Sequence, residues 1–226
     1  MKPMQIFFFG DSVCVGQYVS VHSGWVTRVS ADLAKLGDEH GFQVVVANAS
    51  ANGRTTREAL LSMPYEIQAK SPNILIVQFG MNDCNCWDSD RGLPRVSPRA
   101  FAANLEEIVL RAHHCGVSRV LMNTNHPTGR TERLMPHTNI TYEESNQRYN
   151  GIIREVARGL NDDVILSDVE EAFNRRIAGG SAIPQELLLP EPDLLHLSVA
   201  GHDLYYDVVY PLLAPLVVDL MQAKRE

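Results

Sequence analysis

Ser12 stands just past an apolar run in IFFFGDS, and Asp193 and His196 stand three apart in PDLLHLSVAGH, near the other end of the chain. Together these residue types suit nucleophilic chemistry. A serine hydroxyl attacks well only when a base takes its proton, and a histidine serves as that base when a carboxylate holds its second ring nitrogen. The spacing of Asp193 and His196 lets the carboxylate reach Nδ1–H within one turn of chain and leaves Nε2 to face a serine. His202 competes for the role of base, but it has no acid at that spacing and falls inside a helical pattern. On its own, Gly10-Asp11-Ser12 reads first as a turn followed by a helix cap. A chemical reading needs further groups at the same place.

The elements that must position these residues alternate along the chain. Apolar runs at 4–9 (MQIFFF), 43–48 (QVVVAN), 73–79 (NILIVQF), 118–125 (SRVLMNTN) and 163–168 (DVILSD) lack strict alternation, as expected of strands buried on both faces of a parallel sheet. Between them GWVTRVSADLAKL, SPRAFAANLEEIVLRAHHCG and TYEESNQRYNGIIREVARGL have helical spacing, and a closing helix runs from about Ser198. Ser97 or Ser71 before proline and Thr141 before a glutamate pair are helix starts; Gly116 and Gly159 are stops. This pattern predicts a three-layer α/β/α sandwich with a flavodoxin-like five-stranded parallel sheet of order 2-1-3-4-5.

In such a sheet, ligands bind beyond the carboxyl ends of the strands, where Ser12 lies. The predicted order puts strands 2 and 3 on either side of strand 1. The second run leads into NASANGRTT, where Gly53 can turn a backbone N–H toward the serine; the third leads into FGMNDC, where Gly80 permits a tight turn and Asn82 offers an amide donor. The N–H groups of Ser12 and Gly53 with the Asn82 side chain have the layout of an oxyanion hole.

GDS near the N-terminus, a glycine after strand 2, GxND after strand 3 and DxxH near the C-terminus, in that order, resemble the SGNH (GDSL-type) hydrolase family. Each block alone is weak, while the ordered set spans Gly10 to about Gly201. The resemblance implies a serine nucleophile at Ser12, a base at His196, an orienting acid at Asp193 and oxyanion donors at Gly53 and Asn82. Val13 departs from the family's leucine by an apolar exchange. No GxSxG elbow is present, which disfavours the ordinary α/β-hydrolase fold.

With 226 residues, 45% of them hydrophobic, the chain suits one domain over 1–226. A net charge of −7 without Lys/Arg clusters gives no nucleic-acid-binding face. Cys14, Cys84, Cys86 and Cys115 show no CxxC spacing, and neither the CxC pair nor His113-His114-Cys115 has ordinary zinc-site spacing, so neither a metal nor a cofactor is expected. Cys14 reads as a buried thiol, Asp83 as a loop anchor, and Trp25 and the Tyr205, Tyr206 and Tyr210 group as core. The N-terminal apolar run is too short for a signal peptide or membrane span, which points to a cytoplasmic protein.

The loops at 84–97 and 125–141 overhang the site. Arg54, Trp87 and His126 are candidate substrate contacts there, with surface packing the alternative for Trp87 and His126. The leading expectation is a serine esterase acting through an acyl-enzyme on a small ester, with short acyl groups on a polar or carbohydrate-like alcohol favoured by the Asn, Asp, Arg and Thr of the loops. Acyl transfer to another hydroxyl would use the same residues. A non-catalytic binding protein on the same fold is the competing class, disfavoured because every catalytic position is filled.

Overall fold

In the computed structural model, which describes residues 3–181 and 184–225, each expected strand forms. They are β1 (Met4–Gly10), β2 (Val44–Asn48), β3 (Ile74–Gln78), β4 (Arg119–Asn123) and β5 (Val164–Ser167). All pair in parallel in the order β2-β1-β3-β4-β5. The register sets Gly10 beside Gln78 and Asn123 beside Ser167, so polar residues line up where the strands end. β1 and β3 have neighbours on both sides and carry almost wholly buried runs. The expectation of burial on both faces fails for β2, where Val45 is 38% exposed. It is an edge strand, and helices cover its faces only partly.

Helices α1 (Ser12–Val15), α2 (Trp25–Glu39), α3 (Thr56–Met63), α4 (Pro98–His114), α5 (Tyr142–Gly159), α6 (Val169–Ala178), α7 (Pro184–Leu187) and α8 (Val199–Ala223) surround the sheet. α2 and α6 pack on α8, while α3 and α5 pack on α4, which makes the two outer layers. Ser97 and Thr141 cap α4 and α5 as expected, Thr141 in a capping box with Glu144. Ser71 starts no helix. At φ 49 it ends the helical turn over Pro64–Gln68, its N–H donating to the Ile67 carbonyl at 3.0 Å, and the chain then enters β3 at Ile74. Gly116 (φ 99) follows the end of α4, and Gly159 is the last residue of α5. By length and composition α8 is apolar enough to cross a membrane. Here its stripe of Tyr205, Val209, Leu213, Val217 and Met221 repeats every four residues and is buried in the core, whereas Tyr206 and Tyr210, expected there too, fall off that stripe and are only half-buried, stacked on each other at 5.2 Å.

Candidate active site

β1 delivers Ser12 to the sheet edge through a constrained corner. Gly10 allows no side chain, since a Cβ there would lie 2.7 Å from the Gln78 carbonyl and 2.8 Å from Cys14 Sγ. Asp11 then caps α1, accepting from Val13 N–H at 3.0 Å. Ser12, the first residue of α1, is thereby held at a helix N-terminus, and the cap reading and the chemical reading describe one structure.

At the opposite end of the chain, Asp193 and His196 meet in a turn outside any helix, with Leu194 between them at φ 54. That left-handed residue folds the carboxylate back over its own segment. Asp193 Oδ1 accepts from His196 N–H at 2.6 Å and from Leu195 N–H at 2.9 Å, and Oδ2 accepts from His196 Nδ1 at 2.8 Å. Ser12 Oγ then donates to His196 Nε2 at 3.0 Å, which closes an unbroken relay across 184 residues of sequence. Burial pushes the Asp193 carboxyl up, but these hydrogen bonds outweigh it and hold the group below the usual carboxylate range. The turn is braced from loop 125–141: Gly129 N–H donates to the Leu194 carbonyl at 2.8 Å and Arg130 Nε to the Asp193 carbonyl at 2.8 Å. A Cβ on Gly129 would meet the Leu194 side chain at 3.2 Å.

The segments that follow β2 and β3 lie on either side of Ser12, because these strands flank β1. Ala51 N–H bonds to the Gly10 carbonyl at 3.1 Å, which ties the loop carrying Gly53 (φ 74) to the end of β1. Gly53 is held in turn through its carbonyl, which accepts from Arg95 Nη1 at 3.1 Å. On the other side Gly80 (φ 131) leaves no room for a Cβ, which would lie 2.4 Å from Asn125 Nδ2. Past this turn, Asn82 Nδ2 donates to Asp11 Oδ2 at 3.3 Å. One N–H of that amide is thus engaged by the carboxylate beside the serine, and the amide has a second N–H to offer. Asp83 anchors the same loop by accepting from Thr56 N–H at 2.9 Å.

Two candidate substrate contacts need correction. His126 is fully buried: its Nε2–H donates to the Leu195 carbonyl at 2.8 Å and its ring packs on Phe173 and Tyr205. Burial drives its pKa down to about 3, so it is a neutral brace beneath the Asp193–His196 turn and no pocket wall. Polar sequence after β4 gave no sign that the chain dives inward there. Arg54 is committed elsewhere, paired through both terminal nitrogens with Glu66 at 2.8 and 2.9 Å and bonded to the Ala49 carbonyl at 2.7 Å. It stabilises the loop after β2. Trp87 is 52% exposed, with the Arg95 guanidinium 4.2 Å above its ring, so it stands at the rim near Gly53. His202 is buried, with Nδ1 accepting from Trp25 N–H at 3.4 Å, and burial lowers it to about 4. The buried Cys14 thiol is pushed well up, also by burial. No group of three or more His, Cys, Asp and Glu side chains is arranged to hold a metal among the described residues.

Arg95, Arg130 and the second role of Asp11 left no mark in the sequence, because each acts on backbone or side chains brought close only by folding. The cap on Ser12 also has a measurable consequence. Burial raises Asp11 to about 7, with Asp83 adding to the effect, and raises Asp83 itself to about 6. Carboxyls raised on folding contribute stability that is complete below their unfolded value, about 4, and lost as pH rises through their folded values. Relative to wild type, the Tm of Asp11→Asn is therefore expected to rise by about 3 °C or more between pH 4 and pH 8. A Tm difference that does not change with pH, measured by calorimetry, would contradict a buried titrating Asp11.

Comparison with known proteins shows the family and the fold. An arylesterase of Vibrio mimicus is 25% identical over 123 residues, 54% of this chain and 56% of that one, so the match spans about half the length of that relative. An uncharacterised lipoprotein, YqeF of Bacillus subtilis, is 27% identical over 213 residues, covering 88% and 85%. Among solved structures, the acetyl xylan esterase AlAXEase superposes with a TM-score of 0.71 at 18% identity, over 92% of this chain and 98% of its own, which shows a shared fold. The family model that matches residues 8–204 takes in both ends of the Ser12–His196 relay, and the chain belongs to the GDSL-like lipase/acylhydrolase family.

Proposed function

We propose that this protein is a serine ester hydrolase that removes short acyl groups, acetyl above all, from a polar or carbohydrate-like alcohol. The relay carries this reading: Ser12 Oγ to His196 Nε2 at 3.0 Å and His196 Nδ1 to Asp193 at 2.8 Å. Ser12 Oγ attacks the ester carbonyl carbon as its proton passes to Nε2. The carbonyl oxygen takes up the negative charge, received by the Ser12 and Gly53 N–H groups and the Asn82 amide. When the intermediate collapses, the bond to the leaving oxygen breaks and Nε2–H protonates that oxygen. Water then gives a proton to Nε2 and its oxygen to the acyl carbon, and Ser12 leaves with the proton returned. Asp193 keeps Nδ1 protonated and steadies the imidazolium in both halves. An alcohol in place of water would make the same machinery an acyltransferase.

Family membership and the esterase names among the relatives support the reaction class, while the exposed polar residues Asn52, Asp88 and Ser89, next to Gly53 and Trp87, support a polar alcohol. Two clefts, of about 450 Å³ between α6 and α8 and about 340 Å³ beside Cys86 and Met135, are lined without Ser12 or His196. Neither is an acyl tunnel leading from the serine. The test combines a fluorophosphonate probe with a p-nitrophenyl ester series. Expected results are a single adduct mapped to Ser12 and a kcat/KM that peaks at two to four acyl carbons. A peak at eight or more carbons would overturn the short-acyl part, and an adduct on another residue would overturn the nucleophile.

A further inference from the structure

Tyr18 sits against the relay in a way that packing alone does not account for. Its ring meets the His196 imidazole edge to face, with centroids 5.0 Å apart and planes at 90°. Yet it is 67% exposed, so most of an aromatic surface faces solvent beside the imidazole. The backbone holding it there is unfavourable. Tyr18 has φ 71, a left-handed conformation that a bulky side chain rarely adopts. Among the described residues five non-glycine residues have positive φ, and two of these, Tyr18 and Leu194, adjoin His196. Leu194 shapes the Asp193–His196 turn, which explains its strain. Tyr18 is the third residue of a turn closed by Val19 N–H on the Gly16 carbonyl at 3.3 Å, and that turn holds its ring edge to face against the imidazole with most of its surface open to solvent, where the ring of a ligand can stack on it.

The chemistry of the relay says which part of a ligand that is. This step rests on the esterase reading above. Asn82 and Gly53 take the carbonyl oxygen, and His196 Nε2–H hands its proton to the leaving oxygen, so the departing alcohol must lie against the imidazole. We propose that Tyr18 is a specificity residue for the leaving group, stacking on a ring, aromatic or pyranose, borne by the alcohol half of the ester. A ring face against an exposed tyrosine gains more than a methyl or ethyl group would in the same place.

The experiment compares wild type with Tyr18→Ala, Tyr18→Gly and Tyr18→Phe on methyl acetate, phenyl acetate and a mono-acetylated methyl pyranoside. The glycine variant removes the ring without asking an L side chain to hold φ 71. For Tyr18→Ala and Tyr18→Gly, the ratio of kcat/KM on the ring-bearing esters to that on methyl acetate should fall roughly three- to tenfold, mostly through KM. Tyr18→Phe, which keeps the ring, should hold the wild-type ratio. An unchanged ratio overturns the inference, as does a loss that follows acyl length when phenyl acetate is compared with phenyl butyrate. Fluorophosphonate labelling of Ser12 separates the two levels: labelling with an unchanged ratio sinks the Tyr18 assignment alone, and no labelling of wild type sinks the esterase reading with it.

Discussion

Ser12→Ala is expected to lower kcat on p-nitrophenyl acetate by roughly 10⁴-fold or more, because the acyl-enzyme has no other oxygen on which to form. The fold should be untouched. The substitution deletes one hydroxyl from the first position of α1, where the Asp11 cap bonds to the Val13 N–H and not to the serine side chain. Alanine is at least as good a helix former as serine there. Thermal unfolding should stay within about 2 °C of wild type, since no buried apolar group is lost. A variant that keeps more than a few per cent of wild-type kcat, with wild-type unfolding, would remove Ser12 from the reaction.

His196→Ala should cost nearly as much, for a different reason. In the proposed reaction the imidazole acts twice in each half, taking a proton from the attacking oxygen and giving one to the departing oxygen, so its loss leaves both steps uncatalysed. No neighbour can substitute. His202 is buried with its Nδ1 against the Trp25 N–H, and His126 is occupied by the Leu195 carbonyl. The two losses should also fail to multiply, as expected of residues that work as one unit: the double variant Ser12→Ala/His196→Ala should be about as slow as Ser12→Ala alone. If His196→Ala kept a tenth of the activity and His202→Ala abolished it, the base would have been assigned to the wrong histidine.

How much of this was legible differs between the sheet and its edge. Strands β1, β3 and β4 were readable because burial on both faces demands unbroken apolar runs, and β2 and β5, edge strands that are only partly covered, kept the same apolar run; capped helices between them demand right-handed crossovers. The expected order 2-1-3-4-5 is one of two common doubly-wound orders that such an alternation allows, and strand pairing in the fold decides it; that order sets the segments of Gly53 and Asn82 on either side of Ser12. Asp193 and His196 were readable as a pair because they are three residues apart, although the turn that joins them depends on Leu194 at φ 54, which local sequence does not announce.

Arg54 and His126 show where reading stops. Both stand in polar segments at the correct edge of the sheet, and both look available. A polar side chain's availability depends on what folding brings within reach of it: Glu66 lies close enough to Arg54 to take its guanidinium, and the Leu195 carbonyl arrives from 69 residues away to take His126 Nε2–H. Hydrogen-bond partners distant in sequence have no periodicity and leave no composition signal. The identities of the proposed reacting groups and the strands that carry them were therefore determined by the sequence alone, since chemistry is a property of residue type and strands follow from hydrophobic pattern. Only the tertiary structure decided which polar groups are free to meet a substrate and which are held as braces, because that depends on distances of about 3 Å between segments far apart along the chain.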